Sequence, residues 1–287
     1  MKKTKKTKVP EVVISDRCRT VYPILLVHGV GFRDNLFFKY WGRIPIYLER
    51  NGAKVFYSNT NAWGTIEKNS ATLVKRIDMI LAETGVEKIN IIAHSKGGLE
   101  ARYLISSLGY GGKVASLSTI ATPHHGAKAM DIYLAFPKWF RKFIAFFPNL
   151  LYRLFGDKKP DFYKGTEELG TKFCLRFNAE NPDPENVYCQ SFTTVMTHFY
   201  SDLFMCFPYW LTYIVEGHSD GLVTPKSAEW ANFRGIINCA SSRRGISHID
   251  SIDLRRRRLT KKKADGKYSD ITDFYIELVE GLKVKGF

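Results

Sequence analysis

Ile89-Asn90-Ile91-Ile92-Ala93-His94-Ser95-Lys96-Gly97-Gly98 runs from an apolar strand pattern straight into a serine and then into a helix pattern. The run Ile89–Ala93 reads as a buried strand, and Ser95–Ser107, stopped by Gly109, as a helix. Ala93 and Gly97, two residues before and two after Ser95, are both small. A strand and a helix need that where they approach closely around a strained turn that exposes a serine hydroxyl, as in the nucleophile elbow G-x-S-x-G, here opened by alanine. A serine that only caps the helix accounts for Ser95 but not for the paired small residues.

Outward from this stretch, the apolar runs Tyr22–Val27, Lys54–Tyr57 and Val114–Ile120 join Lys88–Ala93 in alternation with helical patterns. Thr65–Glu83 has helix-period apolar positions at Ile66, Leu73, Ile77, Ile80 and Leu81, and Gly85 stops it. Repeated βαβ of this kind predicts the α/β class, a mostly parallel sheet flanked by helices. From Asp131 to about Asp161 aromatics mix with lysine and arginine and no strand pattern is present, so this segment reads as an inserted cap. Asn186–Phe192 and Phe233–Cys239 are further strand candidates. The predicted organisation is a basic tail over residues 1–20 and one domain over 21–287, with the cap at about 130–165.

The formal charge of +15 is concentrated, since Lys2, Lys3, Lys5, Lys6 and Lys8, with the basic residues of Arg255–Lys263, supply twelve of the fifteen. Such runs suit anionic lipid headgroups or acidic polymers, or stay solvated; they do not predict specific nucleic-acid binding. The five cysteines (Cys18, Cys174, Cys189, Cys206, Cys239) have no metal-ligand spacing. No apolar stretch is long enough to span a bilayer, and no apolar segment follows the first lysines, so a cytoplasmic or membrane-surface location is expected.

An acyl-transfer serine needs donors for an oxyanion, and His28-Gly29-Val30-Gly31 after the first strand offers them. The candidates are the amides of Val30 and of Lys96, the residue after the serine. The same glycines also suit a plain tight turn. The order serine, acid, histidine leaves His124, His125, His198, His218 and His248 as candidate bases. Asp220-Gly221 is a turn signal beyond an apolar run and precedes His248, which favours Asp220 and His248 by position.

Taken together, YPILLVHGVG (22–31), NGAKVF (51–56), IIAHSKGG (91–98), ATPHHGA (121–127), LRFNAENP (175–182), HSDGLV (218–223) and SHID (247–250) resemble, in order, the bacterial triacylglycerol lipases of the group with a structural calcium site. The resemblance implies the α/β-hydrolase fold with an inserted helical cap, or lid. It also implies Ser95 as nucleophile, Asp220 as triad acid, His248 as base, and Val30 and Lys96 at the oxyanion hole. It implies a structural calcium ion as well, with Asp250 two residues after the base and Asp202, eighteen before Asp220, as the nearest acid for a second ligand; the alternative is that Asp250 hydrogen-bonds locally and Asp202 caps a helix after Ser201. No organic cofactor is implied. This chain departs in its elbow alanine, in the Arg255–Lys263 run, in lacking a match to the family's bridging cysteines, and in its start, since the family is usually secreted.

The implied function is a serine ester hydrolase that cleaves acylglycerol esters through an acyl-enzyme on Ser95. The cap fits that substrate, because Tyr133, Phe136, Trp139, Phe140, Phe143, Phe146, Phe147, Tyr152 and Phe155 alternate with Lys138, Arg141, Lys142 and Arg153, as in a segment that lies on a lipid interface. A cap that packs its aromatics inward is the plainer reading. The alternatives are an esterase or acyltransferase on soluble short-chain or polymeric esters and, from another class, a non-catalytic binding protein of hydrolase-like fold.

Overall fold

The apolar runs become strands of one sheet. In the computed structural model, which describes residues 15–31, 39–154, 156, 157, 159–241 and 243–287, these are β1 (Ile24–Val27), β2 (Val55–Tyr57), β3 (Ile89–His94), β4 (Val114–Ile120), β5 (Tyr188–Thr193) and β6 (Asn232–Ile236). They pair in the order β2-β1-β3-β4-β5-β6, every neighbour parallel. Every residue of β1, β3 and β4 is buried, as a sheet covered on both faces requires.

Strand alternation sorts β1 between two cores. Ile24 and Leu26 join Trp41, Ile271, Tyr275 and Val279, whereas Leu25 and Val27 join Leu73, Ile77, Ile80 and Leu104. Helices α1 (Ile44–Arg50) and α10 (Ile271–Val284) cover the first face, and α2 (Ile66–Thr84) and α3 (Lys96–Ile105) the second. The local signals of α2 are those that its sequence shows. The Thr65 side chain caps it by accepting from the Lys68 amide, and Gly85 ends it at φ 72°, where glycine adds no Cβ strain.

Between β4 and β5 the cap region holds α4 (Lys128–Leu134), α5 (Lys138–Leu154), α6 (Phe162–Glu167) and α7 (Thr171–Glu180). Arg141 turns inward to anchor α5, donating to Glu167 at 2.9 Å and to the Phe136 carbonyl at 3.1 Å. The aromatics do not pack inward as a set: Phe136, Trp139, Phe143, Phe146 and Phe147 are exposed. Helix α8 (Cys206–Glu216), which the sequence reading did not anticipate, lies between β5 and β6 and precedes the short α9 (Pro225–Ala228).

The tail boundary at residue 20 needs correction, because Cys18 is fully buried in the first core and its amide donates to the Asn51 carbonyl at 2.8 Å. The lysines of residues 1–8 and Phe155 lie outside the described residues. All five cysteines are free. Among the described residues no helix is long and apolar enough to cross a membrane.

Candidate active site

Ser95 stands between β3 and α3 at φ 53°, in the left-handed region that costs a non-glycine residue on the order of 1–3 kcal/mol. The surroundings hold it there. Its amide donates to the Ile120 carbonyl at 3.0 Å. A Cβ on Gly97 would meet the carbonyl oxygens of His28 and Val27, the latter at 2.8 Å, and one on Gly29 would meet the Ser95 Cβ at 2.7 Å. Glycine is therefore required where α3 passes the end of β1. Ala93, paired with Val27 and Thr119, is buried without displacing either strand, so alanine is accommodated at the first small position.

Asp220 and His248, separated by 28 residues, are brought together. The Asp220 carboxylate is fully buried, its Oδ1 accepts from the amides of Leu222 and Val223 at 3.0 and 2.8 Å, and its Oδ2 faces His248 Nδ1 at 2.7 Å. A second bond, from the His248 amide to the Asp220 carbonyl at 2.8 Å, fixes the histidine backbone to the acid. With Nδ1–H committed to the carboxylate, Nε2 is the basic nitrogen. The other candidate histidines face elsewhere. His198 and His218 are exposed, the latter beside Tyr209. His125 is exposed and bonds the Glu229 carbonyl. His124 is buried, stacked on Trp230 and bonded to Thr119 and Arg102.

A buried chain that sequence reading missed links the loop after β1 to the histidine loop. The Gly29 amide donates to Tyr40 Oη at 2.9 Å, and Tyr40 Oη donates to His94 Nδ1 at 2.6 Å. His94 Nε2–H then donates to Ser251 Oγ at 2.9 Å, and Ser251 donates to the His248 carbonyl at 2.7 Å. This direction requires a neutral His94, and burial, with the neighbouring His248, holds its pKa well below the usual value. The His94 and His248 ring centroids are 4.4 Å apart.

Val30 and Ser95 both line an apolar cavity of about 450 Å³ roofed by Met130, Tyr133 and Phe162 of the cap and by Phe207 and Leu211 of α8. Lys96 opens α3, so its amide is among the N–H groups that have no acceptor within the helix. Its side chain is buried beneath the elbow, where Nζ donates to the Gly64 carbonyl at 2.9 Å and pairs with Glu100 at 3.1 Å and Glu168 at 3.0 Å. Burial alone would lower the ammonium pKa, but the two glutamates outweigh it and hold it above the usual value. The same burial pushes Glu100 up to about 7 against the pull of Lys96. The i,i+4 spacing of Lys96 and Glu100 was the visible signal of this pair.

Asp202 and Asp250 also meet, but the cation between them is Arg255. Its guanidinium pairs with Asp202 Oδ1 and, at 3.0 Å, with Asp250 Oδ1. The remaining oxygens are engaged too, Asp202 Oδ2 by Ser247 Oγ at 2.5 Å and Asp250 Oδ2 by Arg244 at 2.8 Å. Burial would raise the Asp202 pKa, yet Arg255 and Ser247 hold it below the usual range. This donor set does not fit calcium, because the ion would need oxygens that already face a guanidinium. The calcium expectation for Asp202 and Asp250 is corrected accordingly, and no group of three or more metal-binding side chains is found among the described residues. Arg255 also leaves the solvated run in which the sequence places it.

The chain belongs to the alpha/beta hydrolase fold family, whose model matches residues 22–243. Among curated proteins it is similar to triacylglycerol lipase 2 of Saccharomyces cerevisiae, 27% identical over 264 residues, which cover 87% of this chain and 74% of that one. It is also similar to the triacylglycerol lipase of Burkholderia plantarii, 35% identical over 128 residues, covering 42% of this chain and only 35% of the relative. Its fold is like that of Staphylococcus hyicus lipase, with a TM-score of 0.65, 16% identity, and coverage of 92% of this chain and 95% of that one.

Proposed function

We propose that the chain is a serine ester hydrolase that cleaves acylglycerol esters at a lipid surface. The observation that carries this reading is the apolar cavity opening onto Ser95, beside a buried and hydrogen-bonded Asp220–His248 pair. Ser95 attacks the ester carbonyl while His248 Nε2 takes its proton, and Asp220 fixes the imidazole tautomer and stabilises the imidazolium. The Val30 and Lys96 amides hold the tetrahedral oxyanion, a contribution of about 3–4 kcal/mol per donor in such sites. His248 then protonates the leaving alcohol, and water releases the acyl group from Ser95 by the same route in reverse.

The surface supports the lipid half of the reading. Trp139 and Leu154 on α5 of the cap region, and Phe207 and Trp210 on α8, which lines the cavity, are more than half exposed, with the exposed Lys138 and Lys142 on α5. A series of esters from acetyl to decanoyl, in solution and as emulsions, tests the proposal. Each added methylene should raise kcat/KM by up to roughly fourfold until the cavity is filled, and emulsified long-chain esters should be turned over. Preference for acetyl esters with no turnover of emulsions would instead make this a soluble short-chain esterase.

A further inference from the structure

Residues 247–255 carry the histidine and, besides the Asp220 bonds to His248 and the burial of Ile252, are tied down by arginines and serines. Asp250 is paired with Arg244 and Arg255, Asp253 with Arg43 at 2.8 Å, and Ser247 bonds Asp202. Asp202 belongs to a different segment, the approach to α8, where its Oδ1 also accepts from the amides of Phe204 and Met205 at 2.9 and 3.2 Å. Among the described residues the Arg255 guanidinium is the cation that pairs with both carboxylates, and it also lies 5.8 Å from the Phe204 ring centre, while Ser247 Oγ adds a neutral link, donating to Asp202 and accepting from the Asp250 amide at 3.2 Å. The Asp202 side chain is fully buried and that of Asp250 is 5% exposed, whereas Arg255 is 18% exposed. Two carboxylates this buried repel one another unless a cation stands between them.

We propose that Arg255 is a built-in replacement for a divalent ion, a positioning residue that bridges Asp202 and Asp250 and so locks the loop of His248 to the base of α8. The chain is then independent of calcium by construction. A guanidinium suits the task because its planar fork reaches two carboxylates at once, which the point charge of lysine does less well. The stability consequence is independent of the ester-hydrolase reading, and only the effect on turnover rests on it.

The test compares wild type with Arg255→Ala, Arg255→Gln and Arg255→Lys in thermal melts and in turnover of a soluble ester, each in chelator and in millimolar calcium chloride. Wild type should have the same melting point in both. Arg255→Ala should melt about 5–15 °C lower in chelator, since one partner of a buried pair has been removed. Calcium should restore part of that loss, while equal ionic strength from sodium chloride should not. The soluble-ester kcat of the folded variants should fall about tenfold with little change in KM, since the base is misplaced rather than the substrate lost, and Arg255→Lys should recover part of it. If Arg255→Ala does not fold, Arg255→Gln and Arg255→Lys carry the same comparison. A chelator-sensitive wild type, or folded variants with unchanged melting points, would overturn the proposal. Failure of calcium to recover any neutral variant would overturn the equivalence to a divalent ion. A loss of melting point in a chain that hydrolyses no ester would count against the proposed function and leave the clamp standing.

Discussion

In the proposed mechanism Ser95, His248 and Asp220 act in one step, so removing any of them should abolish most of the rate. Ser95→Ala and His248→Ala are each expected to lower kcat on the order of 10⁴-fold or more while the folded far-UV spectrum is kept. Asp220→Asn should be comparably severe, because an amide can favour the wrong imidazole tautomer. Near-normal turnover in folded His248→Ala would remove His248 as the base. His124 makes a separate prediction through pH. Burial first, and then the neighbouring charge of Arg102, hold its folded pKa well below 6.5. The unfolded chain therefore binds a proton below about pH 6.5 that the folded chain does not, so its contribution to stability is full above that pH and is lost as pH falls. Relative to His124→Gln, which lacks the group, wild type should lose part of its stability advantage as the pH falls from 8 to 5 in urea titrations. A constant difference across that range would show that His124 titrates normally. Ser95 was legible because an elbow is a local pattern. Arg255 was not, since its meaning depends on Asp202, 53 residues away, and in the sequence it is one of four consecutive arginines.

At the scale of elements, the elbow is a steric arrangement before it is a chemical one. Gly97→Ala would place a methyl group against the backbone of His28 and Val27, where no side chain can move aside. It should destabilise the fold by about 1–3 kcal/mol, and, because α3 must shift away from β1, lower turnover more than tenfold; a denaturant melt and an ester assay check both. Wild-type values for both would mean that β1 and α3 do not approach as closely as described. The buried strands and α2 were readable because their apolar residues face a core with the period of the element. Helix α8 was not. Tyr209 and Thr212 are its buried positions, whereas Trp210, Tyr213 and Ile214 are exposed, as is Phe207 at the cavity, so the pattern records a surface and not a core. The Asp220–His248 pair lay between these cases: chain order pointed to both residues, but only the fold brings His248 Nδ1 to 2.7 Å from Asp220 Oδ2.

Across the whole molecule, the proposed lipid-surface activity draws on charge and exposed apolar surface together. Trp139→Ser with Trp210→Ser should weaken sedimentation with lipid vesicles while leaving turnover of a soluble ester unchanged, since both side chains are exposed and neither lines the cavity. Neutralising Arg256, Arg257 and Lys261–Lys263, all exposed, should weaken binding to anionic vesicles by on the order of 1 kcal/mol per residue and leave binding to neutral vesicles alone. Equal binding with and without these groups would make the run a solvated loop. The proposed activity requires an activated serine facing the apolar cavity, and covalent labelling tests that directly. A long-chain p-nitrophenyl phosphonate should add one phosphonyl group to the wild-type chain, located on Ser95 by peptide mass spectrometry. Ser95→Ala should remain unlabelled and His248→Ala should label far more slowly. Labelling at another residue, or at the same rate in Ser95→Ala, would contradict the assignment of Ser95 as nucleophile.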